Sequence, residues 1–226
     1  MTPAERLEQL NVFAIYMLGS RDEALAAIGE VLDRHPADPA SWLRALVAPF
    51  MLAKRTPRVD RFGELDDILR THSTVPVDLH HPLVRGDLAR LNVLLLELKR
   101  TCLLTTLRGL TFGRRAVFIL LHVLGLSVET CAEVCGTTPN GIRVADVRAR
   151  QDLENYLGVR CEHLYAANPC HCAARLGNAL GHGLIAWPEH EHEGSFTGRG
   201  GLTPQTFGTV TDLYANLPRV RLPVVQ

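Results

Sequence analysis

The feature that most restricts the fold is a pair of helical patterns joined by a glycine turn between residues 127 and 156. Ser127 is a good N-cap residue, and the pattern Val128–Cys135 stops at Gly136, a residue suited to the left-handed end of a helix. Three residues later a second pattern begins near Asn140 and runs to the end of the stretch. This arrangement predicts a helix-turn-helix, and an ordinary helical hairpin is the alternative that it leaves open.

The rest of the chain also repeats apolar residues at helical spacing. Three helical patterns lie between Arg6 and Arg55, a long one runs from Asp87 to Leu107, and another from Arg114 to Leu124. Aromatic residues are only 6% of the 226 residues, which favours helices over strands. The sequence therefore predicts an all-α fold with two small helical domains joined by a linker.

Composition shifts suggest where these domains begin and end. Residues 57–86 contain Pro57, Pro76 and Pro82 and look like a linker between domains. After Gly158 the chain becomes rich in Cys, His, Gly and Pro, and residues 194–208 are predicted to be weakly structured. The predicted division is a helical domain at 1–56, the linker at 57–86, a helix-turn-helix domain at 87–160 and a Cys/His-containing extension at 161–226.

Charge is distributed unevenly along the chain. The formal net charge is zero, which counts mildly against indiscriminate binding to nucleic acid. Residues 85–160, however, carry eleven basic and seven acidic side chains, so the basic surplus coincides with the predicted helix-turn-helix.

A helix-turn-helix places the N-terminal part of its second helix in the major groove of DNA. The residues predicted to face bases are Asn140, Arg143 and Val144. The residues predicted to hold the phosphate backbone are Thr138, Arg148 and Arg150. Asp146 lies between these two groups, and its charge would repel phosphates.

Several short runs carry a family pattern: Gly113-Arg114-Arg115-Ala116-Val117-Phe118-Ile119-Leu120, Gly125-Leu126-Ser127-Val128-Glu129, Ala132-Glu133-Val134-Cys135-Gly136-Thr137-Thr138, Ile142-Arg143 and Arg148-Ala149-Arg150. Together these runs resemble region four of sigma-70 family factors, and the extracytoplasmic-function subgroup is the nearest match. The resemblance implies an all-α domain that reads the −35 promoter element and contacts RNA polymerase.

The N-terminal helices resemble a small sigma region two, the part that by resemblance binds polymerase core and opens the −10 element. The matching runs are Tyr16-Met17-Leu18-Gly19-Ser20, Gly29-Glu30-Val31-Leu32 and Trp42-Leu43. Ala26, Gly29 and Pro49 stand where the family usually has polar residues. Such losses would remove groups that touch the polymerase clamp and the non-template strand.

Two functions follow from the resemblance. The first is a transcription initiation factor that binds RNA polymerase core and promoter DNA, with an anti-sigma factor as a further candidate partner. The second is a regulator derived from a sigma factor that binds DNA or polymerase without full initiation activity and that responds to a metal. An enzyme is not expected, because the sequence has no glycine-rich phosphate loop or nucleophile elbow.

The cysteines and histidines after residue 160 form a separate candidate site. Cys161, His163, Cys170 and Cys172 supply soft sulfur and imidazole ligands of the kind that tetrahedral zinc prefers. The alternative is a packed turn in which the cysteines are small buried apolar residues, as we predict for Cys131 and Cys135. Zinc is thus the one cofactor that the sequence suggests. The alternative is that the protein binds no cofactor.

The N-terminus carries acidic residues and no apolar run of signal-peptide length, and no stretch approaches a membrane span. The sequence therefore predicts a cytoplasmic protein without a membrane partner. In that compartment six cysteines are expected to be thiols or metal ligands rather than disulfides.

Overall fold

The computed structural model describes residues 2–34, 38–53, 80–187 and 204–217. Within these ranges the regular structure is α-helical and includes no strand, which confirms the predicted all-α class. The helices are α1 (Pro3–Leu18), α2 (Arg21–Arg34), α3 (Trp42–Leu52), α4 (Leu88–Leu107), α5 (Phe112–Phe118), α6 (Val128–Cys135), α7 (Pro139–Leu157), α8 (Cys172–Gly181) and α9 (Val210–Ala215). A π-helical segment, Ile119–Val123, continues α5.

Local sequence signals account for several helix ends. Thr2 and Glu5 form a capping box at the start of α1, and Gly19 ends the helix in the left-handed conformation. Ser127 Oγ accepts the Thr130 N–H at the start of α6, and Gly136 ends that helix with φ 63°. The predicted boundaries of α6 are confirmed.

The chain divides into two compact units, each assembled from two segments. Unit 1 combines Met1–Arg61 with Leu107–Leu153, and unit 2 combines Phe62–Thr106 with Glu154–Gln226. This division differs from the consecutive domains predicted at 1–56, 87–160 and 161–226, because α4 and α7 are long helices that each contribute residues to both units. Most of the predicted linker at 57–86 lies outside the described residues, and its last part forms turns before α4.

In unit 1 the N-terminal helices pack directly on the helix-turn-helix. Helix α3 contacts both α5 and α6, and α1 contacts α5. The rings of Phe13, Phe50 and Phe112 form a series with centroid distances of 6.2 and 5.6 Å. Phe13, Met17 and Phe118 are fully buried in this core.

Unit 2 has a separate core built around α4. Leu91, Leu94, Leu95 and Leu98 pack with Cys172 and Leu176 of α8. Helix α9, which the sequence pattern did not predict, adds the fully buried Tyr214, whose hydroxyl donates to the Leu103 carbonyl at 2.7 Å. Part of the C-terminal extension thus belongs to a packed core, while residues 188–203 and 218–226 lie outside the described ranges.

None of the described helices combines the length and the apolar character that crossing a membrane requires.

Candidate nucleic-acid interface

The two helices of the motif pack through the residues that their spacing predicts. Cys131 and Ile142 are completely buried, Ala132 and Cys135 are buried, and Val134 is half-buried. Gly136 supplies the left-handed turn between the helices. The prediction that Cys131 and Cys135 serve packing is therefore confirmed.

Helix α7 begins at Pro139, one residue before the predicted start near Asn140. Pro139 is the first helical residue, where its missing N–H leaves no donor unpaired. Thr138 Oγ1 accepts the Gly141 N–H at 3.1 Å. The hydroxyl predicted to bind phosphate thus also caps the helix.

The outer face of α7 carries the predicted base-reading residues. Asn140, Arg143 and Val144 are all exposed, as is Arg148 one turn further along. Arg143 Nη2 lies 3.6 Å from Glu129 Oε1, a contact between exposed groups that holds the guanidinium only weakly. Val147, which is 53% exposed, belongs to this face as well; the i, i+3 spacing from Val144 could have predicted it.

Asp146, which the sequence suggested as a repelling charge, is paired with two side chains of the protein. Its Oδ1 lies 2.6 Å from His122 Nε2, and its Oδ2 accepts from Arg150 Nε at 3.1 Å. The carboxylate is only 15% exposed, and its ion pair with Arg150 offsets its negative charge. Arg150 is correspondingly held at the protein surface by Asp146.

The arginine pair that opens α5 has two different environments. Arg114 Nη1 donates to Asp152 Oδ2 at 2.6 Å, and both side chains are partly exposed. Arg115 is buried, and its guanidinium donates to the carbonyls of Met17, Arg108 and Leu110. Neither side chain adds a freely exposed charge to the surface, so the net basic surplus overstates the charge available for DNA.

A groove of about 310 Å³ adjoins the outer face of α7. Its lining includes Met51 of α3, Gly113 and Arg114 of α5, and Val144 and Arg148 of α7. The groove therefore joins two of the predicted DNA-binding residues to the N-terminal helices within unit 1.

The structure brings together part of the predicted metal set. His163 Nε2 and Cys172 Sγ are 3.5 Å apart, and Glu162 completes a set of three whose ligand atoms all lie within 4.8 Å. Glu162 was not predicted as a member. The predicted ligands Cys161 and Cys170 lie outside this set of three and pair with each other through a parallel backbone bridge.

Part of the chain matches a known protein family. Residues 100–153 match the family model described as Sigma-70, region 4. Comparisons with curated proteins and with solved structures found no match to the chain. The matched residues include α5, α6 and most of α7, so this part of the chain is similar to a family of transcription-factor domains.

Proposed function

We propose that the protein binds RNA polymerase core and recognises a promoter −35 element, because residues 100–153 match the Sigma-70, region 4 family. The observation that carries this proposal is the exposed outer face of α7. Asn140, Arg143 and Val144 occupy its N-terminal part, the part of a second motif helix that reaches base edges.

Phosphate contacts come from the residues around this face. Arg148 is exposed one turn after Val144, and Thr138 stands at the N-terminus of α7, where the helix dipole favours an anion. The Arg150 guanidinium already donates a hydrogen bond to Asp146, so it contacts the DNA phosphates only while it keeps or shares that bond. We therefore assign Arg143 to base recognition and Arg148, Arg150 and Thr138 to positioning.

Arg143→Ala is expected to weaken binding to the cognate promoter by about 10- to 100-fold, because a good base contact contributes about 1–3 kcal/mol. Arg150→Ala is expected to weaken it less, since Asp146 already holds that side chain. Fluorescence anisotropy with a labelled promoter from the protein's own operon measures both. Equal losses for the two variants would contradict the assignment.

Arg148→Ala supplies the matched comparison for a phosphate contact. We expect it to weaken binding to cognate and scrambled duplexes by the same factor, and to reduce the slope of log K against log salt by about 1. Arg143→Ala should instead remove part of the preference for the cognate duplex. A loss of preference with Arg148→Ala would place this arginine at the bases.

A second function, that of a sigma-derived regulator without full initiation activity, is supported by the packing of unit 1. Helices α1 and α3 contact α5, α3 also contacts α6, and Met17 of α1 accepts a hydrogen bond from Arg115. Part of the surface of the helices that resemble region two is thus covered by the helix-turn-helix. Ala26 and Pro49, where the family has polar residues, line a groove of about 380 Å³.

Run-off transcription separates the two functions. The assay combines the full chain with core polymerase and the promoter of its own operon, and binding to each is measured in parallel. Transcripts that depend on the protein support the initiation factor. Binding to DNA or core without transcripts supports the regulator, and absence of binding to both contradicts both proposals.

A further inference from the structure

The outer face of α7 has an apolar centre. Val144 is 43% exposed and Val147 is 53% exposed, although both side chains are hydrophobic. They belong to a row of exposed residues at i, i+4, i+7 and i+11, which lie along one line of a helix. This central row consists of Asn140, Val144, Val147 and Gln151.

The fold does not use the two valine side chains. Ile142, Ala149 and Leu153, on the opposite side of α7, are completely buried and form its packed face. Valine is also a poorer helix former than alanine or leucine, because its branched side chain loses rotamer freedom in a helix. The two valines therefore stabilise α7 neither by burial nor by helix propensity, and their exposed methyl groups are open to a ligand.

Arginines border the central row on both sides. At about 100° of rotation per residue, Arg143 lies on one side of the row and Arg148 on the other. Both side chains are exposed, so a ligand of the valines also meets two guanidinium groups. Duplex DNA fits this arrangement, because it offers phosphates and guanine acceptors to the arginines and base edges to the row between them.

The small size of the apolar centre also favours DNA over a protein partner. Two half-exposed valines cover far less area than a stable protein interface, which buries about 800 Å² on each partner. In the major groove, the apolar group among the base edges is the C5 methyl of thymine. One valine side chain is large enough to cover one such methyl group.

The spacing of the valines matches the spacing of bases. Val144 and Val147 are three residues apart, which is about 4.5 Å along a helix. One base-pair step is about 3.4 Å, and two steps are about 6.8 Å. The valines are thus separated by closer to one step than two, so they reach neighbouring base pairs.

We propose that Val144 and Val147 recognise thymines on neighbouring base pairs of the promoter element by covering their C5 methyl groups in the major groove. This inference rests on the promoter recognition by α7 proposed above, and it adds Val147 as a specificity-determining residue. The arginines supply charge and orientation. The valines distinguish thymine from cytosine, which presents an amino group there and no methyl group.

Replacing thymine with deoxyuridine tests these contacts directly, because uracil pairs in the same way and lacks only the C5 methyl group. The full chain first selects its duplex from a random pool. Fluorescence anisotropy then measures its affinity for versions of that duplex in which each thymine in turn is deoxyuridine. We expect two sensitive thymines on neighbouring base pairs, each replacement weakening binding by about 4-fold, the effect of exposing one methyl-sized group.

Salt separates this effect from the phosphate contacts. The affinity itself should fall between about 50 and 200 mM salt, because binding releases counterions. The ratio of the affinities for thymine and deoxyuridine should stay the same over this range, since the replacement changes no charge.

Alanine variants assign each thymine to its valine. Val147→Ala should abolish the discrimination at one of the two positions and keep it at the other, and Val144→Ala should do the reverse. Both side chains are exposed and alanine favours the helix, so both variants are expected to fold. Val159→Ala is the matched control, because this valine is 64% exposed and lies beyond the end of α7. It should change neither the affinity nor the discrimination.

Failure of this inference differs from failure of promoter recognition. A chain that selects no duplex from the pool contradicts promoter recognition and the thymine contacts together. A selected duplex that binds equally well with deoxyuridine at every thymine overturns only the thymine contacts, as does discrimination that persists in both valine variants. Weaker binding of these variants to core polymerase, with unchanged discrimination, would assign the valines to a protein interface and also overturn the proposal.

Discussion

Replacing Arg115 with methionine is expected to lower the free energy of unfolding of unit 1 by about 3–5 kcal/mol. The buried guanidinium donates to the carbonyls of Met17 at 2.5 Å, Arg108 at 2.6 Å and Leu110 at 3.1 Å. Methionine fills much of the same space but donates to none of them, and each buried carbonyl that loses its donor costs about 1–3 kcal/mol. Urea unfolding followed by Trp42 fluorescence in a Trp187→Phe background measures the change in unit 1.

The neighbouring residue provides a chemically identical control. Arg114→Met removes a partly exposed ion pair with Asp152, and such pairs contribute about 0–1 kcal/mol. The two variants should therefore differ severalfold in their effect on the urea midpoint. Equal destabilisation would mean that the three carbonyl contacts of Arg115 do not stabilise unit 1.

Tyr214→Ala is expected to lower the free energy of unfolding of unit 2 by about 3–5 kcal/mol, the cost typical of removing a large buried aromatic side chain. Tyr214 is completely buried, and its hydroxyl donates to the Leu103 carbonyl of α4. Its loss leaves a cavity and an unpaired carbonyl. Trp187 fluorescence in a Trp42→Phe background reports on this unit.

Two further variants separate the contributions of Tyr214. Tyr214→Phe keeps the ring and removes only the hydrogen bond, so a loss of about 1–2 kcal/mol is expected. Tyr165→Ala is the surface control, because that side chain is 53% exposed and its loss should change stability by about 0.5 kcal/mol or less. A Tyr214→Ala variant as stable as Tyr165→Ala would show that α9 does not stabilise unit 2.

The sequence predicted the helices well because their signals are local. Ser127 and Gly136 mark the two ends of α6, and both positions are confirmed by cap hydrogen bonds and a left-handed glycine. The sequence did not predict which segments pack together. Helical periodicity shows which side of a helix is apolar, but it does not name the partner, so the two-segment units were missed.

The same distinction explains what was predicted of the site. Exposure of Asn140, Arg143 and Val144 follows from their spacing on α7. The salt bridge from Arg150 to Asp146 could have been read from its i, i+4 spacing, whereas the bond from His122 joins residues far apart in sequence. Arg114 and Arg115 are the same residue type, and only tertiary packing makes one partly exposed and the other buried.

The assembly of each unit from two separated segments has a consequence for synthesis on the ribosome. Helices α1–α3 emerge first, but Phe13, Met17 and their neighbours cannot be covered by α5 until the chain has grown beyond Phe118. The core of unit 2 is completed later, because Tyr214 cannot pack on α4 until α9 has been synthesised. Closing such long loops is entropically slow, and nascent chains with apolar surface exposed attract chaperones. We therefore expect the two cores to form late in translation, after the helices themselves.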